Sequence, residues 1–381
     1  MKLNVKLLTE NIKSRAENDI KENNISGASV AVISPSETLY KAHFGTLSAE
    51  DGTPIDDNTL FRLASMTKPI TAAAVMVLFD KGLIGIDDPV EKYLPQFKDR
   101  YIAEMRDGKA VKARKAETVL TVKHLLTHTS GILSGGSEAF YANGLSDEDN
   151  KTLKGTVDYY ATAGLGFEPY SKEQYSPTAA FDLLARIVEV ISDTDYAEFV
   201  KKYVTEPCGM TDTAFIPTEG QWQRVIPMHK KENGKSDVYL MPKNCVFENV
   251  PTTHYLGGAG LVSSLKDYAA FAAMLLNKGK INGNRVISEK AVELLSSPQV
   301  PESIMPGNWR WDLGVRVITG EDYRYLPVGA FGWSGAYGTH FWVDPVNSIA
   351  AVYMKNSMYD GGSGAVTAYN FEKDIFNSFV R

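Results

Sequence analysis

The chain has 381 residues, 44% hydrophobic and 23% charged, an ordinary globular composition with enough apolar side chains for a substantial core in one large domain or two lobes. Its formal charge of −6 comes without any basic run, which excludes the electrostatic footprint of a nucleic-acid binder or a polybasic membrane-surface segment. No run reaches the ~18 apolar residues of a membrane span, and Met1 to Asp19 lacks the apolar core of a signal peptide, so a cytoplasmic location is expected.

Asn4 to Asn23 reads as an amphipathic helix. Gly27 to Ser34 and Glu37 to Phe44, separated by Pro35-Ser36, read as a hairpin. After the turn at Asp51-Gly52, Phe61 leads into Ser65-Met66-Thr67-Lys68-Pro69 and an apolar, Ala-rich run to Phe79 that ends at Gly82. Pro69 has no N–H to give and is comfortable only in a helix's first turn, which puts Ser65 at the helix N-terminus. Three residues on, Lys68 shares a helix face with Ser65, so an amine can reach a hydroxyl that lies where free N–H groups favour developing negative charge. Ser65 is therefore a candidate nucleophile.

From Asp87 the texture changes. Asp-Asp-Pro, Leu94-Pro95 and the charged stretch Lys98 to Lys115 predict loops and short helices, with no long β pattern until about Thr253. His124 and His128 stand at the i, i+4 spacing of a helical zinc pair, but the Glu that follows the first His in zinc peptidases is missing, and a structural role is preferred. Ser130 and Ser334 lie outside any G-x-S-x-G elbow, since Ala336 follows Gly332-Trp333-Ser334-Gly335 where the last glycine should be. Tyr175 falls in a loop just ahead of a clear helix, Ala179 to Ile191. Gly257-Gly258-Ala259-Gly260 lacks the Lys-Ser/Thr of a phosphate loop and reads as a tight turn before a helix, Leu265 to Asn277. A further helix follows from Ser288 to Ser297. Strands are expected at Leu313 to Thr319, Tyr323 to Leu326, Gly338 to Asp344 and Ile349 to Lys355, and a closing helix from Ala365 to Val380. Cys208 and Cys245 are too few and too far apart for a disulfide framework or a thiolate metal site.

Taken together these segments resemble the serine β-lactamase/penicillin-binding-protein superfamily, and within it the class C β-lactamase-like esterases termed family VIII carboxylesterases. Ser65-Met66-Thr67-Lys68 matches the S-x-x-K element, and Leu125 to Gly131 is similar to L-L-x-H-T-S-G. Tyr175-Ser176-Pro177 falls where the family has Y-x-N, Gly257 to Ser263 matches its Gly-rich turn, and Trp333-Ser334-Gly335 stands where β-lactamases have K-T-G and the esterases often W-G-G. The resemblance covers nearly the whole chain, with five elements in the family's order.

What it implies is an α/β (α+β) β-lactamase-like fold: a lobe with a central antiparallel sheet flanked by helices, built from residues 1–90 and 255–381, and a mostly helical lobe from 91–254. The implied activity is acyl transfer through an acyl-Ser65 ester, with Lys68 and Tyr175 as the base system and the backbone N–H groups of Ser65 and Ala336 as oxyanion donors. Trp333, Ser334, Gly335 and Pro177 are the implied substrate-binding positions, and no metal or organic cofactor is called for. Pro177 and Trp333 replace the asparagine and lysine that serve a β-lactam's amide and carboxylate, which favours a carboxylesterase on small acyl esters. β-Lactamase, D-amino-acid amidase or peptidase, and acyltransferase are alternatives in the same chemistry; a catalytically silent binding protein is the alternative of another class.

Overall fold

Gly27–Ile33 is small, branched and buried along its whole length, the pattern of a strand covered on both faces. In the computed structural model, which describes residues 2–48, 52–107, 109–134, 145–239 and 254–380, it is an inner strand of a seven-stranded antiparallel sheet. The order across the sheet is Trp309–Trp311, Arg316–Ile318, Phe331–Ser334, His340–Asp344, Ile349–Met354, Gly27–Ile33 and Thr38–Gly45. Strands from both ends of the chain thus share one sheet. Alternation divides the side chains: Val30 and Val32 join Leu8, Ile12, Phe371 and Ile375 of the terminal helices Val5–Lys21 and Val366–Phe376, while Ala31 and Ile33 face the opposite core. That second core receives Tyr268 and Phe271 of Leu265–Leu276 and the helix Thr67–Asp80, buried on every side from Thr67 to Leu78 as its Ala-rich composition allows.

Several expectations change. The charged stretch read as loops and short helices is an antiparallel hairpin of Tyr101–Arg106 and Lys109–Lys115, anchored by mutual backbone bonds of 2.8 Å linking Tyr101 and Ala103 to Leu165. Its many exposed charges hide the period-two pattern, and the anchor is remote in sequence. A second hairpin, Met228–Glu232 with Lys235–Tyr239, also precedes the point where β texture was expected to return. Tyr323 to Leu326 is a run of turns instead of a strand, with Arg324 at a left-handed φ of 43°. The strand expected from Leu313 starts at Arg316, because Gly314 takes a φ of 82° where a Cβ would lie 2.9 Å from Ala72. The last helix stops at Phe376, and Phe379–Val380 pairs with Lys2–Leu3. Cys208 is a buried free thiol, pushed up to about 12 by its burial, and Cys245 lies outside the described residues.

Candidate active site

The short strand Leu60–Arg62 pairs with Val262–Ser264, and Leu63 N–H donates to Leu261 O at 2.9 Å. This pairing draws the Gly257–Leu261 turn against the start of the Ser65 helix. Asn356 reinforces it from the sheet: its side chain accepts from Arg62 N–H at 2.8 Å and donates to Arg62 O at 3.1 Å. Ser65 lies in a single 3₁₀ turn, Ala64–Met66, and the α-helix proper begins at Thr67, so Pro69 does occupy the first helical turn. Ala64 carries a φ of 45°, a left-handed backbone that a Cβ-bearing residue holds only when its surroundings dictate it.

Lys68 Nζ is 3.3 Å from Ser65 Oγ and the side chain is wholly buried. It donates to Pro177 O at 2.6 Å and to Gly258 O at 2.9 Å, so three acceptors surround a group with three donors when protonated. Tyr175 OH donates to Ser65 Oγ at 2.8 Å and accepts from Trp333 Nε1 at 3.3 Å. The Lys68 amine lies 4.9 Å from the centre of the Tyr175 ring. One hydroxyl thus touches both an amine and a phenol, the set needed to take a proton from a nucleophile and return it to a leaving group.

The turn after Phe331–Ser334 folds onto the same place. Gly335 N–H donates to Thr339 O at 2.7 Å, and Thr339 Oγ1 donates at 2.9 Å to the carbonyl of Leu63, two residues before Ser65. A Cβ at Gly335 would lie 2.2 Å from that carbonyl, so only glycine permits the approach. Ala336 is exposed, and among the described residues neither its N–H nor that of Ser65 donates to another backbone group.

Other expected site residues are placed differently. Pro177 meets Lys68 through its backbone carbonyl, not a side chain. The Ser334 hydroxyl points to the other face of the strand, where it is 2.8 Å from His340 Nδ1; His340 Nε2 is in turn 2.9 Å from Glu372, and all three are buried. Strand alternation sends Trp333 to the Ser65 side and the Ser334 hydroxyl away from it. Ser130 is likewise buried, its Oγ accepting from Ile132 N–H at 3.2 Å. Among the described residues no group of His, Cys, Asp or Glu is arranged to hold a metal. His124 Nδ1 instead accepts from Thr121 N–H at 3.2 Å in a capping box, and burial lowers its imidazole to about 4.

Three residues make contacts here that the sequence did not announce, although Gly258 and His128 lie in segments that the resemblance matched. Gly258 supplies a carbonyl to Lys68, and a Cβ there would lie 2.7 Å from Pro177 O and 3.3 Å from Lys68 Nζ. Trp311 stacks on Tyr175, with ring centres 5.6 Å apart and planes within 17°, while its Nε1 donates to Glu173 at 2.9 Å. His128 packs on the other aromatic rings of this cluster, 4.5 Å from Tyr175 and 4.4 Å from Trp311. The signals available were the paired glycines, since adjacent glycines mark a close backbone approach, and the Leu125 to Gly131 match around His128.

The family model described as Beta-lactamase matches residues 11–371. Esterase EstB of Burkholderia gladioli is 30% identical over 376 residues, covering 91% of this chain and 90% of that protein. Among solved structures, EstCE1, a hydrolase with promiscuous acyltransferase activity, superposes with a TM-score of 0.80 at 21% identity over 98% of this chain and 99% of its own. A family VIII carboxylesterase superposes with a TM-score of 0.76 at 20% identity, covering 98% of each chain. Fold and relatives define a serine hydrolase of the α/β class with a β-lactamase-like architecture, acting on small molecules. The chain belongs to the Beta-lactamase family. No helix among its described residues is long and apolar enough to cross a membrane.

Proposed function

We propose that this enzyme hydrolyses small carboxylic esters through an acyl ester on Ser65. The observation that carries the reading is the convergence of Lys68 Nζ and Tyr175 OH on one hydroxyl, at 3.3 and 2.8 Å. Ser65 Oγ attacks the ester carbonyl as the Lys68–Tyr175 pair takes its proton; the same proton is returned to the departing alcohol, and a water then cleaves the acyl-enzyme by the reverse relay. A phenol that keeps its own proton has no vacancy for another, so the pair takes the Ser65 proton with one of its two members, the amine or the phenol, deprotonated. The tetrahedral oxyanion is received by the N–H groups of Ser65 and Ala336, each worth ~3–4 kcal/mol when preorganised.

An ester is favoured over a β-lactam by what borders the base. Trp333 brings an indole where a cation would greet a carboxylate, and Pro177 has no side-chain amide to offer. The chain's likeness to Esterase EstB supports the same choice. The test is labelling with a fluorophosphonate during hydrolysis of p-nitrophenyl butyrate. Wild type is expected to be labelled on Ser65, and Ser65→Ala to lose labelling and turnover together; labelling elsewhere with Ser65 untouched overturns the assignment.

A further inference from the structure

Tyr175 lies in a segment with neither helix nor strand, yet a proton relay needs its hydroxyl held to within about half an ångström. His128 supplies a frame. Its carbonyl accepts from Gln174 N–H at 2.9 Å and its ring Nδ1 from Ser176 N–H at 3.1 Å, so a single residue bonds the amides on either side of Tyr175. The same imidazole packs against the Tyr175 ring, and Trp311 stacks on that ring as well.

Making both bonds at once has a cost in the backbone and in the ring. His128 takes a left-handed φ of 56°, an unfavourable backbone for a residue with a Cβ. With Nδ1 accepting, the ring proton is on Nε2, a fully buried nitrogen that has no hydrogen-bond partner among the described residues. A side chain serving only to fill space would need neither penalty. We infer that His128 is a positioning residue for the reaction: it clamps the Tyr175 loop from both sides and so fixes the phenol against Ser65. Burial, and next the charge of Lys68, hold the imidazole well below its ordinary value, which leaves the Nδ1 lone pair free for Ser176 at neutral pH. No hydrogen bond links the ring to Ser65, so it serves the relay only through Tyr175.

The inference rests on Tyr175 belonging to the base system, and the test separates the two. Steady-state kinetics on p-nitrophenyl butyrate are compared for His128→Ala, His128→Asn, Tyr175→Phe and the doubles of each His128 variant with Tyr175→Phe, with circular dichroism melts to establish folding. Asparagine tolerates the left-handed backbone and offers an acceptor near the place of Nδ1. His128→Ala is expected to lower kcat about 10–100-fold with KM changed less than about threefold, the signature of misplacement. His128→Asn is expected to recover kcat to within about fivefold of wild type. In the Tyr175→Phe background either substitution should add less than about threefold. Wild-type kcat in His128→Ala, a folded His128→Asn no better than alanine, or full additivity with Tyr175→Phe overturns the clamp. Should His128→Ala not fold, His128→Asn and its double carry the same comparison. A Tyr175→Phe enzyme with undiminished kcat instead removes Tyr175 from the base system, and the clamp's purpose with it.

Discussion

Lys68 Nζ donates to the backbone carbonyl of Pro177 at 2.6 Å, the shorter of its two bonds to carbonyl groups. A main-chain oxygen thereby occupies the place where the resemblance pointed to a side-chain amide, and the amine is anchored without one. Gly258 provides the second carbonyl.

Substitution should therefore be tolerated at 177 and not at 258. Pro177→Ala leaves the carbonyl in place and is expected to lose less than about tenfold in kcat, mostly from a looser loop. Gly258→Ala puts a Cβ 2.7 Å from Pro177 O, forcing apart the two acceptors of Lys68, and should lose about 100-fold or more. Rapid kinetics on p-nitrophenyl acetate measures both. Equal losses would mean that the carbonyl pair does not hold the amine.

The base system should behave as a unit. Lys68→Ala and Tyr175→Phe are each expected to reduce kcat by roughly 10²–10⁴-fold with little change in KM. The double variant should be scarcely worse than the poorer single, since the two groups act on one proton. A product of the two effects in the double variant argues for independent roles.

Substrate preference follows from the Trp333 indole beside Tyr175. A β-lactam brings a carboxylate and an acylamino group, and each polar group left unpaired on binding costs ~1–3 kcal/mol. kcat/KM for p-nitrophenyl butyrate is expected to exceed that for nitrocefin by about two orders of magnitude or more. Trp333→Lys should narrow the ratio. Parity of the two substrates in a side-by-side assay of the wild-type enzyme would favour a β-lactamase.

Stability should depend on Asp312, which is wholly buried just beyond Trp311 with Oδ1 accepting from Leu313 N–H at 2.6 Å. Burial pushes its carboxyl well above the ordinary value, against a smaller opposing contribution from the Leu313 amide. Because the folded-state value lies above the unfolded one, the unfolded chain releases this proton first as pH rises past ~3.9, and stability falls from there until the folded group ionises. Asp312→Asn removes that penalty. Urea unfolding should show it more stable than wild type by ~1 kcal/mol or more at pH 7, the gap shrinking towards pH 4. A gap that stays constant with pH would show that the carboxyl ionises alike in both states.

Ser65 and Lys68 were legible in the sequence because their relation is local: three residues on a helix that Pro69 and a run of alanines begin fix the reach of the amine. The hairpin of Gly27–Ile33 and Thr38–Gly45, the terminal helices and the Leu265 helix were legible for the same reason, each carrying its own period and its own turn. Tyr175 and Trp333 could be named only through the resemblance, since neither has a local pattern that marks it. Tertiary structure alone decided the rest. Lys68 meets Pro177 and Gly258 across 109 and 190 residues, and His128 reaches Ser176 across 48. Backbone carbonyls and amides belong to every residue, so no residue type announces which of them will hold a side chain. The Ser334 hydroxyl turned from the site because register in the sheet, set by its pairing with His340, chooses the face. The hairpin of Tyr101–Arg106 and Lys109–Lys115 formed against Leu165, a contact that no window of its charged sequence contains.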